Sequence, residues 1–350
     1  MSVETDLKQA IEKVVNHHQL AETEAEQVMG RIMDGEASPA QIAALLTALR
    51  LKGETVEEIT GFARAMRAKM NRIAPRFQPL QPLVDIVGTG GDRRFTFNIS
   101  TTAAFVAAGA GLPVAKHGNR SVSSRCGSAD VLEALGVNVM LAPAEAERCL
   151  EETGIGFLFA PVFHAAMKHA AGPRREIGIR TAFNLLGPLT NPAGAQVQVL
   201  GVYDPNLTGV IACVLRNLGT QRAMVVHGSD GLDEITHTGR TRVSELNGDQ
   251  IRTYYLEPEG LGIRQGSLEE IVGGVAVDNA RITREVLAGR PGPCRDVVLM
   301  NAAAALLVGG KVDTMLDGMR LAAEVIDSGA ALAKLDSLIA FSRRYAEGAA

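Results

Sequence analysis

Two polar loops and an acidic pair in this 350-residue chain carry residue types suited to binding phosphate with a divalent cation. The first loop, residues 88–92 (GTGGD), follows the apolar run 83–87 and precedes a predicted helix at 101–109. Glycine lets main-chain N–H groups approach a ligand closely, and a helix start adds unpaired N–H donors, so the loop is predicted to bind phosphate. Asp92 would repel phosphate unless a cation or a sugar hydroxyl mediates, which indicates a phosphorylated sugar with magnesium.

This glycine loop matches neither the dinucleotide motif G-x-G-x-x-G nor the G-K-[ST] ending of a P-loop, and a tight strand-to-helix turn is the alternative interpretation.

The second loop, residues 116–128 (KHGNRSVSSRCGS), also lies between an apolar run and a predicted helix. Its lysine and two arginines supply charge, and its serines and Asn119 supply hydrogen bonds without bulk, as a pyrophosphate requires. A solvated surface loop is the alternative here.

The acidic pair, Asp233 and Glu234, follows the apolar run 223–227. Magnesium typically takes one or two carboxylates together with substrate phosphates and water. An acidic pair alone is usually part of a solvated turn. Because two predicted anion-binding loops accompany it here, the pair is predicted to bind a metal ion.

Residues 163–192 mix basic and apolar groups, as a pocket for an aromatic carboxylate would. Arg174 could hold a carboxylate in bidentate fashion, although taken alone it is more typical of a surface charge. His164 and His169 are five residues apart and do not share a helix face in the manner of a zinc site, so each is interpreted as a pocket wall or a surface residue. The four cysteines are widely separated and predict neither a zinc site nor a disulfide framework.

The elements that must position these residues fall into two groups. Residues 1–70 have helical spacing and N-terminal capping signals, and 71–82, with three prolines, is interpreted as a linker or hinge. From there apolar runs alternate with predicted helices, which indicates a mainly parallel sheet with ligands at the carboxyl ends of its strands. The predicted strands are 83–87, 112–116, 137–141, 197–203 and 223–227, with further strand-like material at 251–256.

The predicted fold is therefore α/β, with a small all-helical domain (1–70) and a larger α/β domain (83–350) whose mainly parallel central sheet is surrounded by helices. A net charge of -4 gives no general attraction to nucleic acid, and no apolar stretch is long enough to cross a membrane. No secretory signal is recognised, so we expect a cytoplasmic protein. The apolar stripes of the first helices need a partner surface, which indicates a homodimer; packing within one chain is the alternative.

Six motifs together resemble the anthranilate phosphoribosyltransferase family over nearly the whole chain. They are DIVGTGGD at 85–92, TFNIST at 96–101, KHGNRSVSS at 116–124, GSADVLEALG at 127–136, NLLGPLTNP at 184–192 and the acidic pair. The resemblance implies a nucleoside phosphorylase/phosphoribosyltransferase-like fold, with the helical domain joined by helices from about 165–192 and forming a homodimer contact. It also implies transfer of the phosphoribosyl group of 5-phosphoribosyl 1-pyrophosphate (PRPP) to anthranilate, in the second step of tryptophan biosynthesis.

Roles carry over from the resemblance position by position. The residues implied to bind PRPP are Gly88, Gly91, Asp92, Thr96, Asn98, Ile99, Ser100, Thr101, Lys116, His117, Gly118, Asn119, Arg120, Ser121, Val122, Ser123, Ser124 and Ser128. Those implied to contact anthranilate are Gly88, Asn119 and Arg174, with His117 and His164 as walls of the aromatic site. Ser100, Asp233 and Glu234 are the implied magnesium ligands, for two ions per monomer in the working complex. No nucleophile or base is assigned.

Two positions depart from the family pattern. Arg93 stands where glycine is common, which predicts a different loop path or closure, and Ala165 replaces a frequent proline.

Two other functions remain open. A pyrimidine nucleoside phosphorylase has a similar fold, but the acidic metal pair and residues 127–130 argue against it. A non-catalytic nucleic-acid-binding relative would show a basic surface and strongly salt-dependent affinity, against which the net charge and the phosphate and metal motifs argue.

Overall fold

The computed structural model describes residues 6–77, 81–121 and 125–345. Four helices come first, namely α1 (Leu7–Val15), α2 (Glu22–Met33), α3 (Pro39–Lys52) and α4 (Val56–Lys69). The predicted capping signals are present: the Ser38 hydroxyl accepts from Gln41 N at 3.3 Å, and Thr55 does the same for Glu58 N at 3.2 Å. Each cap satisfies a main-chain donor that the helix itself leaves unpaired.

The next part of the chain builds a seven-stranded sheet in the order β3-β2-β1-β4-β5-β6-β7. Its strands are β1 (Val84–Gly88), β2 (Val114–Gly118), β3 (Ile155–Phe159), β4 (Val197–Gly201), β5 (Arg222–Gly228), β6 (Thr241–Asn247) and β7 (Gln250–Leu256). The first five strands are parallel, and the last two are antiparallel additions at one edge. The predicted α/β class with a mainly parallel sheet is confirmed.

Eleven further helices lie between and after the strands in the described ranges. They are α5 (Ile99–Gly109), α6 (Ser128–Leu135), α7 (Pro143–Thr153), α8 (Ala160–Phe163), α9 (Lys168–Ile177), α10 (Phe183–Leu186), α11 (Leu207–Asn217), α12 (Ala276–Leu287), α13 (Pro293–Val308), α14 (Met315–Asp327) and α15 (Ala330–Arg343). No helix in these ranges is long and apolar enough to cross a membrane.

The prediction of a strand at 137–141 is wrong. Side chains there alternate between buried and exposed, as on a strand, but the main chain pairs with side chains instead of a neighbouring strand. Asn138 N donates to Ser342 Oγ at 3.0 Å, and Met140 N donates to Asn138 Oδ1 at 3.0 Å. The strand beside β2 is β3, a fully buried apolar run that begins directly after Gly154. β6 was not predicted from the sequence either.

Two hydrophobic cores cover the two faces of the sheet. Alternate residues along a strand point to opposite faces, so Val199 and Met224 enter the first core with α5 and α13, while Leu200 and Val225 enter the second. The second core continues without a break into the helices α1 to α4. α9 packs against α2 and α3, and α10 and α11 pack against α4. The helical bundle thus rests on the sheet and shares its core.

The chain between α4 and β1 is anchored at several points in the part that the structure describes. Asn71 N donates to Phe163 O at 2.9 Å, and Ile73 N donates to Pro192 O at 3.2 Å. Ala74 N reaches the carboxylate of Glu147 on α7 at 2.9 Å. Residues 78–80 of the predicted linker lie outside the described ranges.

Candidate active site

The glycine loop and the acidic pair are in direct contact at the carboxyl ends of the parallel strands. Gly90 N donates to Asp233 Oδ2 at 2.7 Å, and Ser100 N, at the start of α5, donates to Glu234 Oε1 at 3.1 Å. Both carboxylates are therefore fixed by main-chain donors of the first loop and its helix. The structure brings together residues that are more than 130 positions apart in the sequence.

Two glycines make this contact possible. A Cβ on Gly88 would overlap the carboxylate of Asp233, and one on Gly201, at the end of β4, would overlap the Asp233 carbonyl oxygen. The Gly201 carbonyl also accepts a hydrogen bond from Thr89 N at 2.9 Å. Gly88 was predicted to touch substrate, and the structure gives it this further reason to lack a side chain. Gly201 was missed, because its role depends on a distant loop.

The acidic pair is buried and electrostatically unfavourable in its ionised form. Burial, with repulsion from Asp92, raises the pKa of Asp233 to about 7, and burial, with repulsion from Asp233, raises that of Glu234 to about 8. A divalent cation would relieve this repulsion, and carboxylate and hydroxyl oxygens are the ligands magnesium prefers. Among the described residues, no three His, Cys, Asp or Glu side chains form a metal cage by themselves.

Lys116, on β2 at the start of the second loop, is a cation whose charge acts on Glu234. Its Nζ donates to Ile86 O at 2.6 Å and lies 3.4 Å from Ser100 Oγ. Burial lowers the pKa of Lys116, and the charges of Asp85, Glu234 and Asp233 oppose that shift. Lys116 therefore connects the ends of β1 and β2 with the predicted metal ligands.

Asp85 is a buried partner of this site that the sequence analysis did not assign. Its Oδ1 accepts from His117 N at 3.3 Å, and its Oδ2 accepts from Asn191 Nδ2 at 2.8 Å. Asn191 Nδ2 also donates to Ala115 O at 2.8 Å, so one amide fastens residues 184–192 to β1 and β2. The sequence feature that could have revealed Asp85 is an acidic residue inside a predicted buried strand. A fully buried Asp almost always has partners, so its position indicates a polar contact.

Asp130 connects the two described parts of the second loop through main-chain hydrogen bonds. The Asp130 Oδ2 atom accepts from Ser121 N at 3.0 Å and from Gly127 N at 2.8 Å. Arg120 forms ion pairs with Asp130 and Glu133, so its charge is shared with α6. Ser128 Oγ donates to Asn119 O at 3.2 Å, and a Cβ on Gly118 would overlap that hydroxyl. The predicted residues Val122, Ser123 and Ser124 lie outside the described ranges.

Residues 93–98 join the glycine loop to α5 along a path pinned by the chain around 271–279. Thr96 forms a β-bridge with Val272, and Asn98 Oδ1 accepts from Asn279 Nδ2 at 2.9 Å. Arg93 has φ of 61°, a left-handed conformation that favours glycine, so this chain keeps such a path with an arginine. The Ile99 and Thr101 side chains are buried, and Ile99 N donates to Phe97 O at 2.8 Å.

The predicted acceptor residues are held by different elements. His117, at the end of β2, and His164, after α8, have ring centroids 5.0 Å apart, and both are buried. His117 Nδ1 lies 3.1 Å from Gly187 O, while each Nε2 atom has no hydrogen-bond partner among the described residues. The Arg174 guanidinium on α9 stacks on Phe183, with Cζ 4.9 Å from the ring centroid. The structure thus pairs the two histidines, and no residue in the described ranges accepts a hydrogen bond from the Arg174 guanidinium.

Burial keeps both imidazoles neutral. It lowers the pKa of His117 to about 3, aided by the nearby His164, and the pKa of His164 to about 4. Because an unfolded histidine titrates near pH 6.5, the unfolded chain gains a proton first as the pH falls, and stability declines between about pH 6.5 and 4.

We expect His164→Phe, which keeps a ring but removes this titration, to be less acid-sensitive than the unmodified chain. Between pH 7.5 and 5 the free energy of unfolding should fall by about 2 kcal/mol less in the variant, measured by urea denaturation. His18→Gln, at an exposed position on the bundle, is the control and should follow the unmodified chain. Equal acid sensitivity of His164→Phe and the unmodified chain would contradict a neutral buried His164.

Comparison with known proteins identifies the family to which this chain belongs. Residues 8–70 match the helical bundle domain of a glycosyl transferase family, and residues 80–332 match the a/b domain of that family. The chain is 62% identical over 340 residues to the anthranilate phosphoribosyltransferase of Moorella thermoacetica, covering 97% of this chain and 99% of that protein. The chain belongs to the anthranilate phosphoribosyltransferase family. It is therefore an enzyme that transfers a phosphoribosyl group in tryptophan biosynthesis, and the predicted family is confirmed.

Solved structures of the family agree with the fold. The anthranilate phosphoribosyltransferase of Thermus thermophilus superposes with a TM-score of 0.90 at 46% identity, covering 95% of this chain and 99% of that one. The enzyme from Saccharomyces cerevisiae, solved in complex with PRPP and Mg, has a TM-score of 0.88 at 30% identity, covering 97% and 98% of the two chains.

Proposed function

We propose that this enzyme transfers the phosphoribosyl group of PRPP to the amine of anthranilate, giving N-(5-phosphoribosyl)anthranilate and pyrophosphate, as the second step of tryptophan biosynthesis. The observation that carries the proposal is the docking of Asp233 and Glu234 onto Gly90 N and Ser100 N. It places two buried carboxylates beside a glycine loop and a helix start, which are the parts needed for a metal-bound phosphate ester.

Ser100, Asp233 and Glu234 would hold magnesium, two ions per monomer in the working complex, and the yeast relative solved with PRPP and Mg supports this use of the metal. Bound magnesium supplies positive charge that stabilises the departing pyrophosphate. The main-chain donor at Gly91, together with Lys116, would bind the donor's anionic groups, whereas Ser100 N at the start of α5 already donates to Glu234 Oε1. Fixed before the reaction, they need no reorganisation as charge develops on the leaving group.

The acceptor side is proposed to be the pocket around the paired imidazoles of His117 and His164. Both rings are neutral and would form an aromatic wall beside the substrate ring, while the Arg174 guanidinium would hold the carboxylate. An aromatic amine has its lone pair available before it loses a proton. Catalysis by positioning and electrostatics, without a nucleophilic side chain, therefore fits these residues.

Arg174→Ala is expected to raise the KM for anthranilate by about 10- to 100-fold, the effect of losing a charge-assisted hydrogen-bonded pair. The KM for PRPP should change little, because Arg174 lies on α9 and makes no contact with the glycine loop among the described residues. Steady-state kinetics with each substrate varied in turn measures both constants. Equal increases in the two KM values would contradict the carboxylate role.

The decisive experiment follows anthranilate fluorescence in the presence of PRPP and magnesium. Consumption that requires both, with pyrophosphate as a product, supports the proposed reaction. If the chain is inactive and instead binds DNA or RNA with strong salt dependence, the non-enzymatic interpretation is favoured. Phosphorolysis of pyrimidine nucleosides would favour the phosphorylase.

We also propose a cytoplasmic homodimer that forms through the helical domain (1–70). Val15 on α1 and Leu51 on α3 are 58% and 78% exposed, which leaves apolar side chains on that surface for a second copy to cover. The division of the chain at 71–82 into two domains and a hinge is likewise proposed. Light scattering of Leu51→Glu against the unmodified chain tests the interface, since a charge there should produce monomers.

A further inference from the structure

Arg180 lies between α9 and α10 and reaches across to the glycine loop. A Cβ placed on Gly91 would be 3.1 Å from Arg180 Nε and 3.6 Å from its Cζ, so the guanidinium covers the Gly91 main chain. Its other side packs on Tyr203, with Cζ 4.5 Å from the ring centroid. The guanidinium is thus held between an aromatic ring and the loop assigned to the phosphorylated substrate.

The charge of Arg180 has no bonded partner in the described ranges. No hydrogen bond or ion pair there engages its five N–H donors, although its charge lowers the pKa of both Asp92 and Asp233 against the effect of burial. The neighbouring cations have contacts of their own. Lys116 donates to Ile86 O, and the Arg94 side chain covers Gly231. Within the described ranges, the Arg180 guanidinium at the edge of the loop therefore has a ring contact but no hydrogen-bonded or ionic partner.

We propose that Arg180 is a further binding residue for the phosphoribosyl donor, donating hydrogen bonds to its phosphate oxygens; this inference rests on the proposed function. A guanidinium fork matches phosphate oxygens in bidentate fashion. The donor is favoured over the acceptor because Arg180 covers Gly91 and its charge acts on Asp92, whereas His117, in the proposed acceptor pocket, lies 3.1 Å from Gly187 O. When the donor and magnesium are absent, the same charge offsets part of the repulsion between Asp92 and Asp233.

Tyr203 acts as a positioning residue in this arrangement. Its ring supports the guanidinium face, so Tyr203→Phe should leave donor affinity nearly unchanged, while Tyr203→Leu should weaken it in the same direction as a change at Arg180. In a double-mutant cycle, Tyr203→Leu should add little to Arg180→Gln, because the group that Tyr203 supports is already gone.

The test is calorimetric binding of PRPP with magnesium to the full chain, followed by steady-state kinetics. Arg180→Gln should raise the Kd and KM for PRPP about 10- to 100-fold, with Arg180→Lys in between because lysine keeps the charge without the fork. Arg175→Gln, at an exposed position on α9, is the matched control and should behave as the unmodified chain. Thermal unfolding confirms that each variant is folded.

Two results would overturn the inference. One is a PRPP affinity of Arg180→Gln equal to that of the unmodified chain. The other is an equal rise in both KM values, which would indicate a general effect on the site and not a contact with the donor. If the unmodified chain itself neither binds nor consumes PRPP, the proposed function fails, and that outcome is distinct from both.

Discussion

Asp233→Asn or Glu234→Gln should lower the magnesium-dependent kcat/KM by at least about 100-fold, because each removes a hard anionic ligand from the predicted metal site. The amides keep the size and the acceptor oxygens, so the bonds from Gly90 N and Ser100 N can persist. The loss would therefore report the missing charge and not a displaced loop. Initial rates across a magnesium titration measure it.

The same two substitutions should not lower stability, although they lower activity. Burial and mutual repulsion raise the pKa of both carboxylates, so without magnesium a neutral amide at either position should leave the free energy of unfolding unchanged or higher. Glu245→Gln, on β6 far from the loop, is the control with the same chemical change and should keep full activity. Normal rates for the Asp233 and Glu234 variants at every magnesium concentration would contradict the metal assignment.

Gly201→Ala is expected to destabilise the fold by about 3 kcal/mol and to lower turnover as well, because an added methyl overlaps the main-chain carbonyl of Asp233. Main chain cannot rotate away as a side chain can, so the segment carrying the acidic pair must shift. Urea denaturation gives the stability change, and kcat at saturating substrates gives the functional one.

Gly209→Ala is the matched control for this substitution. Gly209 lies within α11, and the nearest atom to an added Cβ is Ser244 Oγ at 4.0 Å. Replacing a helical glycine by alanine in open space should stabilise the chain by about 0.4–1 kcal/mol. If Gly201→Ala is as stable as Gly209→Ala, the acidic segment is more adaptable than the structure indicates.

The sequence predicted those parts of the site that are local. A strand, a polar loop and a helix start follow one another within about 20 residues at each phosphate loop, so residue type and spacing were sufficient. Asp85 and Arg180 act across long separations, to Asn191 and Gly91 respectively, and no local pattern contains both partners. The same limit explains the error at 137–141, where alternation is real but Ser342 supplies the pairing.

The position of Arg93 shows a different limit. Arg93 stands where the family often has glycine, which predicts a different loop path or closure, and the backbone has φ of 61° at that residue. The bridge from Thr96 to Val272 and the bond from Gly273 N to Phe95 O, 2.8 Å long, hold the following residues, and this tertiary pairing outweighs the local preference of an arginine. The sequence shows that arginine does not favour this backbone conformation, but it does not show that tertiary pairing outweighs that preference.

The core shared by the bundle and the sheet has a consequence for synthesis on the ribosome. Helices α1 to α4 leave the ribosome before the strands, and the partners of their apolar faces include Leu200, Val225 and Leu246. Leu246 is made roughly 180 residues after Met66, which takes on the order of 10–40 s at ~5–20 residues per second. During that interval the nascent helices remain incompletely covered, so we expect general chaperones that bind apolar segments to associate with this chain until the edge strands are complete.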